Sequence, residues 1–106
     1  MEEKVKNFDE SFIEAVDEGL KVLSESGKQM IFFYLEKNYS IKKHEIPKKP
    51  EDFALGLEKI FQAGASVIEK LIIESLYSKL GLKYEENKNY SFADYVKKAK
   101  EEARVK

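Results

Sequence analysis

The chain contains no cysteine. That absence excludes a disulfide framework, a thiolate nucleophile and any cysteine-based zinc site. It has one histidine, His44, and only two prolines, Pro47 and Pro50. It has no charge excess to speak of: 19 basic residues face 20 acidic ones, for a net charge of −1. A dedicated nucleic-acid binder usually carries a basic surplus, and here there is none. Long hydrophobic runs are also missing. The longest is Met30–Leu35, and a membrane-crossing helix needs about 20 apolar residues. The first ten residues, MEEKVKNFDE, lack an apolar signal core, which gives a cytoplasmic expectation.

What is present describes a globular chain. The 106 residues are 42% hydrophobic and 37% charged, enough to build one domain around its own core. Arg104 is the single arginine among many lysines, and glutamate far outnumbers aspartate. The expected organisation is one helical domain over 1–106, frayed at 1–8 and 100–106. The expected fold class is all-α, a single compact bundle of about five helices.

Apolar spacing places the helices. The first is expected from Asp9, as N-cap, to Leu23, with Ile13, Val16, Leu20 and Leu23 on one stripe. Gly19 interrupts that stripe at a cost of about 1 kcal/mol relative to alanine, so close helix packing is the reason to expect there. Ser26 and Gln29 have capping-box spacing ahead of MIFFYL (30–35). A helix apolar on every side belongs in the middle of a bundle. The two prolines mark SIKKHEIPKKP (40–50) as a loop without regular structure. Pro50 then suits the first turn of a third helix carrying Phe53, Leu57, Ile60 and Phe61. The fourth carries Val67, Ile68, Leu71, Ile72, Leu76 and Leu80, and Gly81 stops it. KYEENKN (83–89) is a polar connector. Ser91, with Asp94 three residues on, caps a fifth helix bearing Phe92, Val96 and Ala99.

The small residues Ala63-Gly64-Ala65-Ser66 admit two readings. Free N–H groups at a helix start can hold an anion, but neither P-loop spacing nor a preceding strand is present. Close approach of two helices at a sharp joint is preferred. The fourth helix is apolar over more than one face. This is read either as a central helix wrapped by the others or as a helix buried twice, with Ile68, Leu71, Ile72 and Leu76 at an interface with a second copy or another protein.

FIEAVDEGLKVLSESGKQMIFFYLEKNYSI, then IPKKPEDFALGLEKIF, then GASVIEKLIIESLYSKLGL resembles a family of small archaeal helical domains. These are the archaeal output domains of the type named from Nitrosopumilus. The shared landmarks are Gly27, Ile46-Pro47, the PEDF start at Pro50–Phe53, Phe61, and the run IEKLII (68–73) leading to Tyr77 and KLGL (79–82). The resemblance implies an archaeal source, an all-helical fold and a role in signalling. It brings no active site with it.

Candidate chemistry is sparse. His44 lies in KKHEIPKK without metal-ligand spacing around it, and reads as a surface loop histidine. No nucleophilic triad has support. The pairs Glu85-Glu86 and Glu101-Glu102 read as solvated faces. Lys42, Lys43, Lys48 and Lys49 form the best local charge feature, a candidate anion contact. The acidic PEDF start of the next helix, however, would repel DNA. Phe32, Phe33, Tyr34, Phe53 and Phe61 read as core rather than as a pocket. No catalytic residue, metal or cofactor is expected. The function expected is a non-enzymatic protein–protein interaction module, homodimeric or bound to another protein. A nucleic-acid-associated regulator using the lysine loop is the alternative.

Overall fold

The computed structural model describes residues 7–105. It is all-α, with no strand among those residues. Five helices follow in order: α1 (Phe8–Gly19), α2 (Glu25–Tyr39), α3 (Pro50–Phe61), α4 (Ala65–Lys79) and α5 (Phe92–Val105). Part of the expected fraying falls on 1–6 and 106, outside the described residues. Within them, α5 stays helical to Val105.

Four of the five helices begin on a local device. Asn7, not Asp9, caps α1: its side chain accepts the Glu10 N–H at 2.8 Å, and Glu10 accepts the Asn7 N–H at 3.3 Å. Ser24, not Ser26, caps α2, accepting the Gly27 N–H at 3.1 Å. Gln29 instead donates to Glu25 at 3.2 Å. Pro50 occupies the first turn of α3. Ser91 and Asp94 form the expected reciprocal cap of α5, at 3.0 and 3.1 Å. Gly81, at φ 71°, ends α4. There the Gly81 N–H donates to Ser78 O at 3.1 Å and the Leu82 N–H to Tyr77 O at 2.9 Å, the double bond of a Schellman stop.

The stretch 40–50 is more regular than its prolines suggest. Lys43–Lys48 form a 3-10 helix with Pro47 inside it. The fixed φ of proline suits a 3-10 turn, and the flanking N–H groups of Glu45 and Lys49 reach Lys42 O and Ile46 O at 2.8 and 3.0 Å. Ile46 and Pro47 are buried beneath the bundle.

α4 is the central helix, packed on α1, α3 and α5. Its closest partner is α1. A Cβ added at Gly19 would land on Ile72 Cγ1 and 3.1 Å from the Ile72 backbone nitrogen. Gly19 therefore lets the two backbones approach, as expected. At Gly56 of α3 an added Cβ would meet the Leu35 side chain of α2, so this glycine makes room for a side chain rather than a backbone. On the open side of the α1–α4 seam, Lys79 reaches Glu18 at 2.9 Å and Glu14 at 3.7 Å. Ser75 donates to Glu18 at 2.8 Å. Hydrogen bonds from Lys79 and then Ser75 hold the Glu18 carboxyl below its ordinary range. Phe92 joins α5 to the core, its ring 6.1 Å from Phe12 and 5.7 Å from Phe53.

The expectation for MIFFYL is corrected. α2 lies at the edge of the bundle and buries only Ile31 and Leu35. Met30 and Phe33 are 67% and 66% exposed. Burial of two residues on one side is enough to dock this helix. Local apolarity cannot tell a wrapped helix from a docked one.

Candidate functional site

A lateral groove of about 650 Å³ runs between α3, α4 and the segment joining α4 to α5. α3 contributes Leu55 and Glu58, one turn apart on its outer side. α4 contributes Val67, Glu69 and Lys70 from its first turns. Leu55 and Val67 are 50% and 61% exposed, so the groove presents bare aliphatic surface.

The opposite wall is aromatic. Tyr84 and Tyr90 come from the connector and Tyr95 from α5. Tyr95 stacks edge-on with Tyr90 at 5.1 Å and lies 5.7 Å from Tyr84, whose ring meets Tyr77 at 5.8 Å. The Tyr95 hydroxyl accepts the Asn87 N–H at 2.6 Å and donates to Asn87 O at 3.0 Å. The Tyr77 hydroxyl donates to Tyr95 O at 2.8 Å. One phenol thus replaces the backbone ladder that an irregular connector lacks. Burial pushes the Tyr77 and Tyr84 hydroxyls up to about 12, so both stay neutral.

Glu58 and Glu69 meet inside the groove. Desolvation first, then the Glu58 charge and a hydrogen bond with it, push the Glu69 carboxyl up to about 7. With both groups ionised neither can donate, and Glu69 Oε2 is then buried without a partner. Protonation of Glu69 relieves this, because the neutral carboxyl can donate as well as accept. At the rim, Lys70 pairs with Glu86 at 3.8 Å.

The residues singled out in the sequence lie elsewhere. Ile68, Ile72 and Leu76 are buried within this chain and Leu71 is half-buried. Ile68, Ile72 and Leu76 belong to the core of this chain, which is the central-helix reading of this face. The lysine loop is partly occupied. Lys43 pairs with Asp17 at 2.9 Å and sits 5.2 Å over the Phe32 ring. Lys42 and Lys48 are exposed, while Lys49 is half-buried at the start of α3. The Glu45 carboxylate accepts the Lys42 N–H at 2.9 Å, which places an acid among the lysines. His44 is exposed. Among the described residues, no group of three His, Cys, Asp or Glu side chains could hold a metal.

Ala65 is buried, but Ala63 and Gly64 are exposed, and a Cβ at Gly64 would meet only Phe61 at an ordinary 3.8 Å. The close helix approach sought at Gly64 belongs to Gly19. The bend itself falls on Gln62, at φ 54°. Of the aromatic set, Phe53 is core, Phe33 is exposed, and Phe32, Tyr34 and Phe61 are half-buried.

The molecule is thus a small all-α bundle with a lateral, aromatic-walled groove. No family model matches the chain, and neither does any curated protein or solved structure. None of its helices is long and apolar enough to cross a membrane, among the described residues.

Proposed function

We propose that this chain is a non-enzymatic protein–protein interaction module whose groove receives a segment of another protein. The observation that carries this reading is the exposure of Leu55 and Val67 inside a concave surface whose far wall is held in place by Tyr95. Concave, largely apolar sites with a few fixed polar groups are where ligands bind. The resemblance to archaeal output domains supports a regulatory setting. Self-association is assigned to the outer face of α2, where Met30 and Phe33 lie one turn apart and exposed.

A photo-crosslinking residue at position 67 tests the groove, with position 21 as control. The expected result is a discrete adduct at 67 that excess wild-type chain competes away and excess Val67→Glu does not. Absence of a competed adduct at 67 sinks the reading. Nucleic-acid binding through Lys42, Lys43, Lys48 and Lys49 is the weaker reading, because Lys43 is paired with Asp17 and Glu45 sits among the others.

A further inference from the structure

We propose that the groove seats a lysine or arginine side chain of a partner polypeptide against the Glu58 and Glu69 carboxylates, with the residues flanking that cation packed on Leu55 and Val67. The inference rests on the groove being an interaction site and names the chemistry of its occupant. Three features of the groove favour such a segment over other occupants.

Charge is the first. The lining carries Glu51 and Glu58 from α3, Glu69 from α4 and Glu86 from the connector, against Lys70 and Lys88. Lys70 is already engaged with Glu86. The lining acids outnumber its lysines, and an anion would be repelled there. The second is the aromatic wall. Tyr84, Tyr90 and Tyr95 line the same space, and Tyr90 already holds the Lys98 ammonium 5.7 Å from its ring, the attraction that aromatic rings offer ammonium and guanidinium groups. The third is the aliphatic surface beside the acids. A small free cation has nothing to place on Leu55 and Val67, whereas a polypeptide carries a cation and apolar side chains together.

The carboxylate pair also gives the interaction a pH signature. A cation seated beside Glu69 favours its ionised form over the neutral one. Binding therefore releases a proton and tightens as pH rises through the range where Glu69 ionises. With Glu69 at about 7, affinity at pH 8 is expected to be about tenfold that at pH 6.

The test is a titration of the full chain, labelled with nitrogen-15, with a capped leucine–arginine–leucine tripeptide. The same tripeptide with glutamine in place of arginine is the control. Expected are amide shifts confined to the groove around Val67, Glu69, Tyr84 and Tyr90, about tenfold weaker binding at pH 6 than at pH 8, and weak binding of the control. Glu69→Gln should flatten the pH dependence and weaken the arginine peptide while leaving the rest of the spectrum in place. Equal binding of the two tripeptides overturns the cation assignment and leaves the groove reading standing. Absence of groove shifts with either peptide overturns the inference, and the position-67 crosslink then judges the wider reading separately. Putrescine binding as tightly as the arginine peptide also overturns it, because the apolar flanks then contribute nothing. Groove shifts that grow with protein concentration alone overturn it too, by placing a second copy there.

Discussion

A methyl group at Gly19 and one at Gly64 should have opposite effects. At Gly19 it would collide with Ile72 on the central helix. Overpacking of this kind costs about 1–3 kcal/mol. At Gly64 the added methyl makes only an ordinary contact with Phe61 and φ is −72°, so alanine loses nothing and gains about 0.4–1 kcal/mol by restricting the unfolded chain. Urea unfolding of Gly19→Ala and Gly64→Ala reads both signs. Glu69 makes a third prediction at this scale. Its folded value of about 7 lies above the ordinary 4.5, so the folded state prefers the neutral form. The group favours folding below about 4.5, and that contribution is lost as pH climbs from there through 7. Glu69→Gln, which is always neutral, should therefore stabilise the protein at pH 8. After discounting for the part of the side chain that water screens, the gain is about 1 kcal/mol. No gain is expected at pH 4, and equal gains at both values would remove the carboxylate pair as the cause.

Helix starts give a direct check on register. Ser24→Ala removes the bond to the Gly27 N–H and should cost about 1 kcal/mol. Ser26→Ala, two residues into α2, should change stability by less than about 0.5 kcal/mol. The comparison shows what was legible in the sequence and why. The start at Pro50, the stop at Gly81 and the Ser91–Asp94 cap were readable because each satisfies its own backbone groups within a few residues. Ser24 and Ser26 have equal chemistry, and only the path of the chain after Leu23 selects one. The position of α2 was not readable, since Met30 and Phe33 have the same apolarity whether wrapped or bare. Nor was the groove. Glu58 and Glu69 lie on different helices and meet only because the turn at Gln62 folds α4 beside α3. Tyr84, Tyr90 and Tyr95 follow no helical period because two of them belong to the connector. Glu85 and Glu86, adjacent in sequence, read as a solvated face, while the carboxylate that burial perturbs, Glu69, meets Glu58 only across the bend.

At the scale of the molecule, bare apolar side chains among the described residues include Leu55 and Val67 in the groove and Met30 and Phe33 on the outer face of α2. With Ile68, Ile72 and Leu76 consumed by the core, self-association through α2 makes a specific claim about mass. Light scattering across a concentration series should show growth from 12.3 kDa toward twice that value, and Phe33→Glu should abolish it. A Val67→Glu chain should associate as the wild type does. Loss of association in that variant instead would move the contact to the groove. Met30 adds a chemical reporter on the α2 face. The chain has two methionines and no cysteine, so peroxide has few sulfur atoms to attack. The Met30 thioether is bare to solvent and should gain an oxygen readily. Whatever covers α2 would shield that sulfur. The fraction of Met30 left unoxidised after a brief peroxide pulse, read by peptide mass, would then measure how much of α2 is covered.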